Sequence, residues 1–280
     1  MAKTVIYKSE EGKAKITAFY ETLLQRWHQP SEQIILETSF GDTFIVESGS
    51  KESPAILLLH GSGANSAMWL SDAMVLSAAY HVLAVDIIGE CGRSSENRPP
   101  FKNGNYAGWI FEITQKLGLE RVSVIACSLG GWIALDFSMH HPELTDKLVL
   151  IATAGITPLK LKTLFLIIAT SFMGTWGFNK LNRLVYGNLS IDDNALEFAS
   201  LVKKHFKPRT DVLPLLTDES LRQIKVPVLF VGGENDCFYN SQKTANRLKY
   251  NLENVKCSVL KDTGHVVINQ SKSILQFLNS

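Results

Sequence analysis

The chain has 280 residues, 45% hydrophobic and 20% charged, which suits a globular protein with a substantial core in one large domain or two smaller ones. With 28 Lys and Arg against 27 Asp and Glu, the formal net charge is +1, so neither nucleic acid nor a broadly anionic surface is an expected partner. Four cysteines (Cys91, Cys127, Cys237, Cys257) show no CxxC and no metal-ligand spacing, the pattern of reduced thiols in a cytoplasmic protein rather than of a disulfide framework.

The opening MAKTVIYKSEEGK has no apolar core of a secretory signal and no small-residue cleavage site, so no export is expected. Residues 10–27 place Ile16, Phe19, Tyr20, Leu23, Leu24 and Trp27 on one stripe, an amphipathic helix ended before Pro30. Two β-rich runs joined through Gly41-Asp42 predict a hairpin. The segments 55–61, 81–89, 121–128 and 147–155 are then apolar throughout instead of alternating, as strands buried on both faces of a parallel sheet are. Helical stretches around 66–79, 105–117 and 131–141 separate them, so a doubly wound α/β sheet is expected.

The alternation pauses between 156 and 222, where the pattern is helical, and resumes with VPVLFVGGEND, VKCSVLKDTGH and a short closing helix. The division is therefore an N-terminal helix over 1–30, a sheet core over 31–155 and 223–280, and a helical insertion over 156–222. The most apolar window, Thr163 to Asn179, is interrupted by Thr170, Ser171, Gly174, Thr175 and Gly177. It falls short of the ~20 apolar residues of a membrane span, so it reads as a buried or pocket-lining helix without stable membrane insertion.

In VIACSLGG the apolar run stops at two adjacent nucleophiles, Cys127 and Ser128. A reactive side chain on a tight strand-to-helix turn needs small residues two before and two after it, because strand and helix backbones crowd there. Around Ser128 those are Ala126 and Gly130; around Cys127 they are Ile125 and Leu129. The frame selects Ser128 as nucleophile and leaves Cys127 as packing.

A serine nucleophile needs a base, and the base an orienting carboxylate. Of seven histidines, His140 and His141 precede Pro142 at a helix end, His28 and His205 lie in polar helix-end contexts, His81 begins a strand and His60 lies in a loop. His265 directly follows the last expected strand, where strand ends gather, and is taken as the base. The turn after the preceding strand offers Glu234 and Asp236; Asp236 is preferred for its short reach to imidazole Nδ1–H, and Asp262, close to His265 in sequence, is a weaker alternative because such a local Asp more often stabilises a turn. For an oxyanion, the candidate donors are the backbone N–H groups of Ser62, in the Gly-rich turn HGSGAN, and of Leu129. Gly61, Gly63 and Trp132 are expected to face substrate. No HExxH and no carboxylate cluster at ligand spacing is present, so neither metal nor cofactor is expected.

Together, HGSG, DIIGECGRS, ACSLGG, GGENDCF and DTGH resemble, in this order and spacing, the α/β-hydrolase superfamily. More narrowly, KSEEGKAKITAFYETLLQRW and VDIIGECGRS are similar to its bacterial carboxylesterase-like members, some of which carry DIIG followed by an acidic residue, here Glu90. The resemblance implies an eight-stranded, mostly parallel sheet flanked by helices, with a helical cap inserted after the sixth strand. It departs at two places. Ala126 stands where a glycine is usual, and Gly92-Arg93-Ser94 comes one residue late against the common D-x-x-G-x-G-x-S. The expected activity is hydrolysis of small to medium apolar or aromatic carboxylic esters through an acyl-enzyme, by a monomer or homodimer. Carbon–carbon bond, thioester or lactone hydrolysis with the same residues, and a non-catalytic sensor or scaffold, are the alternatives.

Overall fold

The computed structural model describes residues 4–163, 165–166, 173–189 and 192–280. Helix α1 (Glu10–Leu24) starts at Ser9, whose hydroxyl accepts the Gly12 N–H at 3.0 Å, and carries Glu10 and Glu11 in its first turn, where the helix dipole favours negative charge. The expected hairpin follows as β1 (Ser31–Leu36) and β2 (Thr43–Ser48), with Ser31 opposite Ser48 and Leu36 opposite Thr43. They form the antiparallel edge of an eight-stranded sheet ordered β1-β2-β4-β3-β5-β6-β7-β8. Strands β3 (Ala55–Leu59), β4 (His81–Val85), β5 (Val122–Cys127), β6 (Thr145–Ile151), β7 (Val228–Gly233) and β8 (Val255–Leu260) pair in parallel.

The continuous apolar runs reflect burial on both faces. Leu57, Leu59, Leu83, Val85, Val124 and Ala126 point to one core, beneath α3 (Asn105–Lys116), α4 (Leu129–His140) and α8 (Ser241–Asn251). Ile56, Leu58, Val82, Ala84 and Ile125 point to the other, covered by α1, α2 (Leu70–Leu76) and α9 (Ser271–Leu278). At about 1.5–3 kcal/mol for each fully buried aliphatic side chain, these layers are the main source of stability. Two helix starts differ from expectation. The first crossover opens with a 3-10 turn (Ser66–Trp69) before α2, and α4 begins at Leu129 rather than near 131, because the chain turns into the helix directly at Ser128.

Between β6 and β7 the described residues form α5 (Gly174–Tyr186), α6 (Asp193–His205) and the short α7 (Asp218–Leu221). The apolar run Thr163–Asn179 lies partly outside the described residues. The N-terminal segment binds this insertion as well as the sheet. Lys8 N–H donates to the His205 carbonyl and Lys207 N–H to that of Ile6, while Phe19 stacks on Phe198 at 6.3 Å between ring centres.

Loop organisation depends on Asp86, at the carboxyl end of β4 and wholly buried. Its Oδ1 accepts the Tyr20 hydroxyl at 2.9 Å, the Ser66 N–H at 2.8 Å and the Ser66 hydroxyl at 2.7 Å, and its Oδ2 accepts the Arg93 N–H at 2.7 Å. A Cβ on Gly92 would run into this carboxyl group, which explains a glycine there. Since a hydrogen bond to a charged group contributes about 1.5–3 kcal/mol, Tyr20→Phe is expected to lower the stability measured by urea denaturation by that amount, with the slope of the transition unchanged.

Candidate active site

Ser128 sits between β5 and α4 at φ 50°, ψ −110°, a left-handed conformation that a residue with a Cβ adopts only under constraint. The constraint is visible on both sides. Ser128 N–H donates to the Ile151 carbonyl at 3.0 Å, and its own carbonyl accepts from Gly131 and Ala154, each at 3.1 Å. Helix α4 then approaches β3 so closely that a Cβ on Gly130 would lie 2.5 Å from the Leu59 carbonyl oxygen and 2.7 Å from that of His60. Ala126 pairs with Leu59 in the sheet and is fully buried, so its methyl fills core space where a glycine is the commoner choice.

Cys127 belongs to the other side of this turn. Its side chain packs against the core face formed with α1, α2 and α9. Burial, with the Asp236 charge second, pushes its thiol up to about 12, which keeps it protonated and unreactive at neutral pH.

Asp236 and His265 are brought together from the ends of β7 and β8. Imidazole Nδ1 lies 2.9 Å from Asp236 Oδ2, and both side chains are buried. The other carboxylate oxygen, Oδ1, accepts the N–H groups of Phe238 at 2.7 Å and Tyr239 at 3.1 Å. Phe238 meets the imidazole edge-on at 4.7 Å between ring centres. Glu234 and Asp262 are exposed and bond each other's loop, with Asp262 N–H reaching Glu234 Oε2 at 3.4 Å. Ser128 and His265 share the carboxyl-end rim of the sheet, and no hydrogen bond joins their side chains among the described residues. Such a bond commonly tightens only in the Michaelis complex.

The loop after β3 completes the rim. The Ile87 N–H donates to His60 Nε2 at 2.8 Å, so the ring proton lies on Nδ1, which donates to the Gly61 carbonyl at 2.8 Å. Burial lowers the imidazole pKa, and His60 is a neutral fastener of this loop. Among the described residues, neither Ser62 N–H nor Leu129 N–H has an acceptor; the latter opens α4, where the first amides have no intrahelical partner. A Cβ on Gly61 would lie 3.5 Å from that of Ser128, and one on Gly63 would lie 3.7 Å from Val202 of α6. Trp132 is more deeply set than a substrate-facing residue. It is 4% exposed, bonds the Pro214 carbonyl at 3.0 Å and packs edge-on against Phe101 and Tyr106. Among the described residues no three His, Cys, Asp or Glu side chains group as a metal site would.

Residues 56–273 match the model of the alpha/beta hydrolase family. The chain belongs to the alpha/beta hydrolase family. It is similar to carboxylesterase YbfK of Bacillus subtilis, at 29% identity over 89% of this chain and 86% of that protein. It is also similar to the uncharacterized carboxylesterase nap of the same species, at 27% identity over 93% and 91%. Among solved structures, the B. subtilis carboxylesterase CesB (YbfK) superposes with a TM-score of 0.85 at 26% identity, covering 96% of this chain and 98% of that one. The B. subtilis naproxen esterase gives 0.87 at 23%, covering 97% and 100%, which speaks for the fold.

On this hydrolase framework, three groups at the rim have no counterpart in the sequence reading. The Val185 carbonyl, near the end of α5, accepts the N–H groups of His265 at 2.9 Å and Val266 at 3.1 Å. Lys160 Nζ donates to the Asp236 carbonyl at 2.5 Å. Glu90 is 2% exposed and bonds the Gly63 N–H. Only Glu90 carried a signal, as the acidic residue in the loop whose length departs from the family pattern. Two substitutions test the elbow. Gly130→Ala is expected to cost about 1–3 kcal/mol or more in thermal or urea unfolding, because backbone must move to admit the methyl group. Cys127→Ala is expected to keep kcat within about threefold of the parent, since the thiol is packing at a site a smaller residue can occupy.

Proposed function

We propose that this chain is a serine carboxylesterase whose nucleophile is Ser128, whose general base is His265 and whose orienting acid is Asp236. The observation that carries this reading is the strained Ser128 backbone at the end of β5, on the same rim as the buried pair of His265 Nδ1 and Asp236 Oδ2 at 2.9 Å. Ser128 Oγ attacks the ester carbonyl while His265 Nε2 takes its proton. The carbonyl oxygen becomes an oxyanion, received by Ser62 N–H and Leu129 N–H. The tetrahedral intermediate collapses, the C–O bond to the alcohol breaks, and His265 returns the proton to the leaving alkoxide. Water then attacks the acyl-enzyme by the same route and releases the acid. Asp236 holds Nδ1–H and stabilises the imidazolium that forms in each half-reaction.

The names of the B. subtilis relatives support ester hydrolysis as the reaction. The arginines that could favour an anionic substrate for carbon–carbon cleavage are committed elsewhere or face solvent. Arg93 donates to Gln33 at 2.7 Å and stacks over Phe44, and Arg183 is exposed. Residues 156–222 act as a cap over the rim. The approach of Val202 to Gly63 and the hold of Val185 on His265 support this, and exposed Leu161, Phe165, Met173 and Trp176 give the insertion an apolar character suited to acyl or aromatic groups. Gly61 and Gly63 shape the floor beneath the substrate, and Trp132 contributes at most an edge. No described helix is long and apolar enough to cross a membrane, and four free cysteines suit a cytoplasmic setting.

A panel of p-nitrophenyl esters tests the reading. The wild type is expected to favour short to medium acyl chains, and Ser128→Ala to lose about 10⁶-fold in kcat. A fluorophosphonate is expected to label wild type at Ser128 and to leave Ser128→Ala unlabelled. Equal slow turnover by both proteins would reject the assignment.

A further inference from the structure

Glu90 lies in the loop after β4, buried, and none of the described lysines or arginines forms an ion pair with it. Its Oε2 accepts the Gly63 N–H at 2.7 Å and the Ser62 hydroxyl at 3.3 Å. Arg98 and Arg209 favour its charged form from nearby, yet most of their own donors are spent on other groups. Arg98 bonds the carbonyls of Gly89 and Lys207, and Arg209 bonds the Pro99 carbonyl, the Tyr106 hydroxyl and Asp211. Burial is the stronger influence and raises the Glu90 carboxyl above its ordinary value.

The position of this carboxyl group follows from the loop's extra residue. Gly92 packs on Asp86, and the Ser94 hydroxyl donates to the Asp86 carbonyl at 2.6 Å and accepts the Phe44 N–H at 2.8 Å. The added length therefore lies between Gly89 and Gly92, where Glu90 N–H donates to the Ile87 carbonyl and the Glu90 carbonyl accepts the Gly92 N–H. That turn delivers the Glu90 side chain across to the loop after β3.

Holding the Ser62 hydroxyl and the following N–H fixes the Ser62 side chain and the peptide on its C-terminal side, which is one of the two ends that set how Ser62 N–H is aimed. Behind it, the Gly61 carbonyl is fastened by His60 Nδ1–H and by the Ala64 N–H at 3.3 Å. We propose that Glu90 is the positioning residue of the oxyanion site: its carboxyl group, anchored on Gly63 N–H and the Ser62 hydroxyl, aims Ser62 N–H at the carbonyl oxygen of the ester. This rests on the serine-esterase reading above. It predicts an effect on the transition state and little on substrate binding, because the amide's interaction strengthens as the oxygen gains charge.

The test compares Glu90→Leu and Glu90→Gln with wild type in p-nitrophenyl ester hydrolysis and in inhibition by a trifluoromethyl ketone, which forms a hemiketal oxyanion on the nucleophile. Glu90→Leu is expected to lose about 10²-fold in kcat with KM within about threefold, and to lose affinity for the ketone in proportion. Glu90→Gln keeps an amide oxygen that accepts the Gly63 N–H, and is expected to stay within about fivefold of wild type. Where Glu90→Leu does not fold, Glu90→Asp, which withdraws the carboxyl group by one methylene, is expected to lose kcat and ketone affinity together at near-constant KM. Unchanged kcat in Glu90→Leu, equal damage in Leu and Gln, or a loss of kcat without loss of ketone affinity would overturn the assignment while leaving the esterase reading intact. A wild type that takes no fluorophosphonate at Ser128 would overturn both.

Discussion

Helix α4 is driven against the ends of β3 and β6 more closely than a side chain at position 130 or 131 would allow. Gly130 faces the carbonyl oxygens of Leu59 and His60, and a Cβ on Gly131 would collide with Thr153. With those two positions empty, the chain can reverse in a single residue, and that residue is Ser128 at φ 50°. The same closeness brings the free Leu129 N–H beside the loop after β3, so the proposed nucleophile and one proposed oxyanion donor are set by one packing contact. Strain of order 1–3 kcal/mol at such a residue is met by sheet bonds on either side and by the two buried layers beneath.

Three buried carboxyl groups organise the loops around this contact, and each is satisfied mainly by backbone amides and neutral groups instead of by a salt bridge. Asp86 gathers Tyr20, Ser66 and Arg93 N–H; Glu90 holds Gly63 and Ser62; Asp236 holds Phe238 and Tyr239 amides and His265. Short, directional bonds of this kind define the position of a loop more closely than a flexible lysine would. Their arrangement links α1, the loop after β3 and the loop after β4 into one structure at the carboxyl end of the sheet.

The central strands were legible because burial on both faces leaves uninterrupted apolar runs such as AILLL and HVLAV. The elbow was legible because crowding acts on residues at fixed spacing from Ser128. Asp236 could be preferred over Glu234 by the length of its side chain and its place in the turn. Contacts that depend on distant partners left no such trace. Glu90 meets Gly63 from 27 positions away, and Val185 meets His265 from the far side of the insertion. The N-terminal helix showed its apolar stripe, but nothing in that stripe said that Phe19 would lie on Phe198 while Tyr20 reached Asp86. Trp132 looked available from its place in the motif, and the aromatic cluster with Phe101 and Tyr106 claims it.

The hold of Val185 on the amides of His265 and Val266 is reinforced where Gly187 bridges Thr263, and the approach is so close that a Cβ on Gly264 would lie 2.8 Å from the Val185 carbonyl oxygen. The chain between β6 and β7 is therefore tied to the sheet here as well as through Lys160, Lys207, Arg209 and Pro214, and not only where it enters and leaves. For anyone recombining these proteins, the natural exchange unit is not residues 156–222 alone. A foreign insertion joined cleanly at both ends would still have to supply a carbonyl where Val185 stands and close backbone where Gly187 meets Gly264, or the imidazole would be left on a loop with one side unsupported.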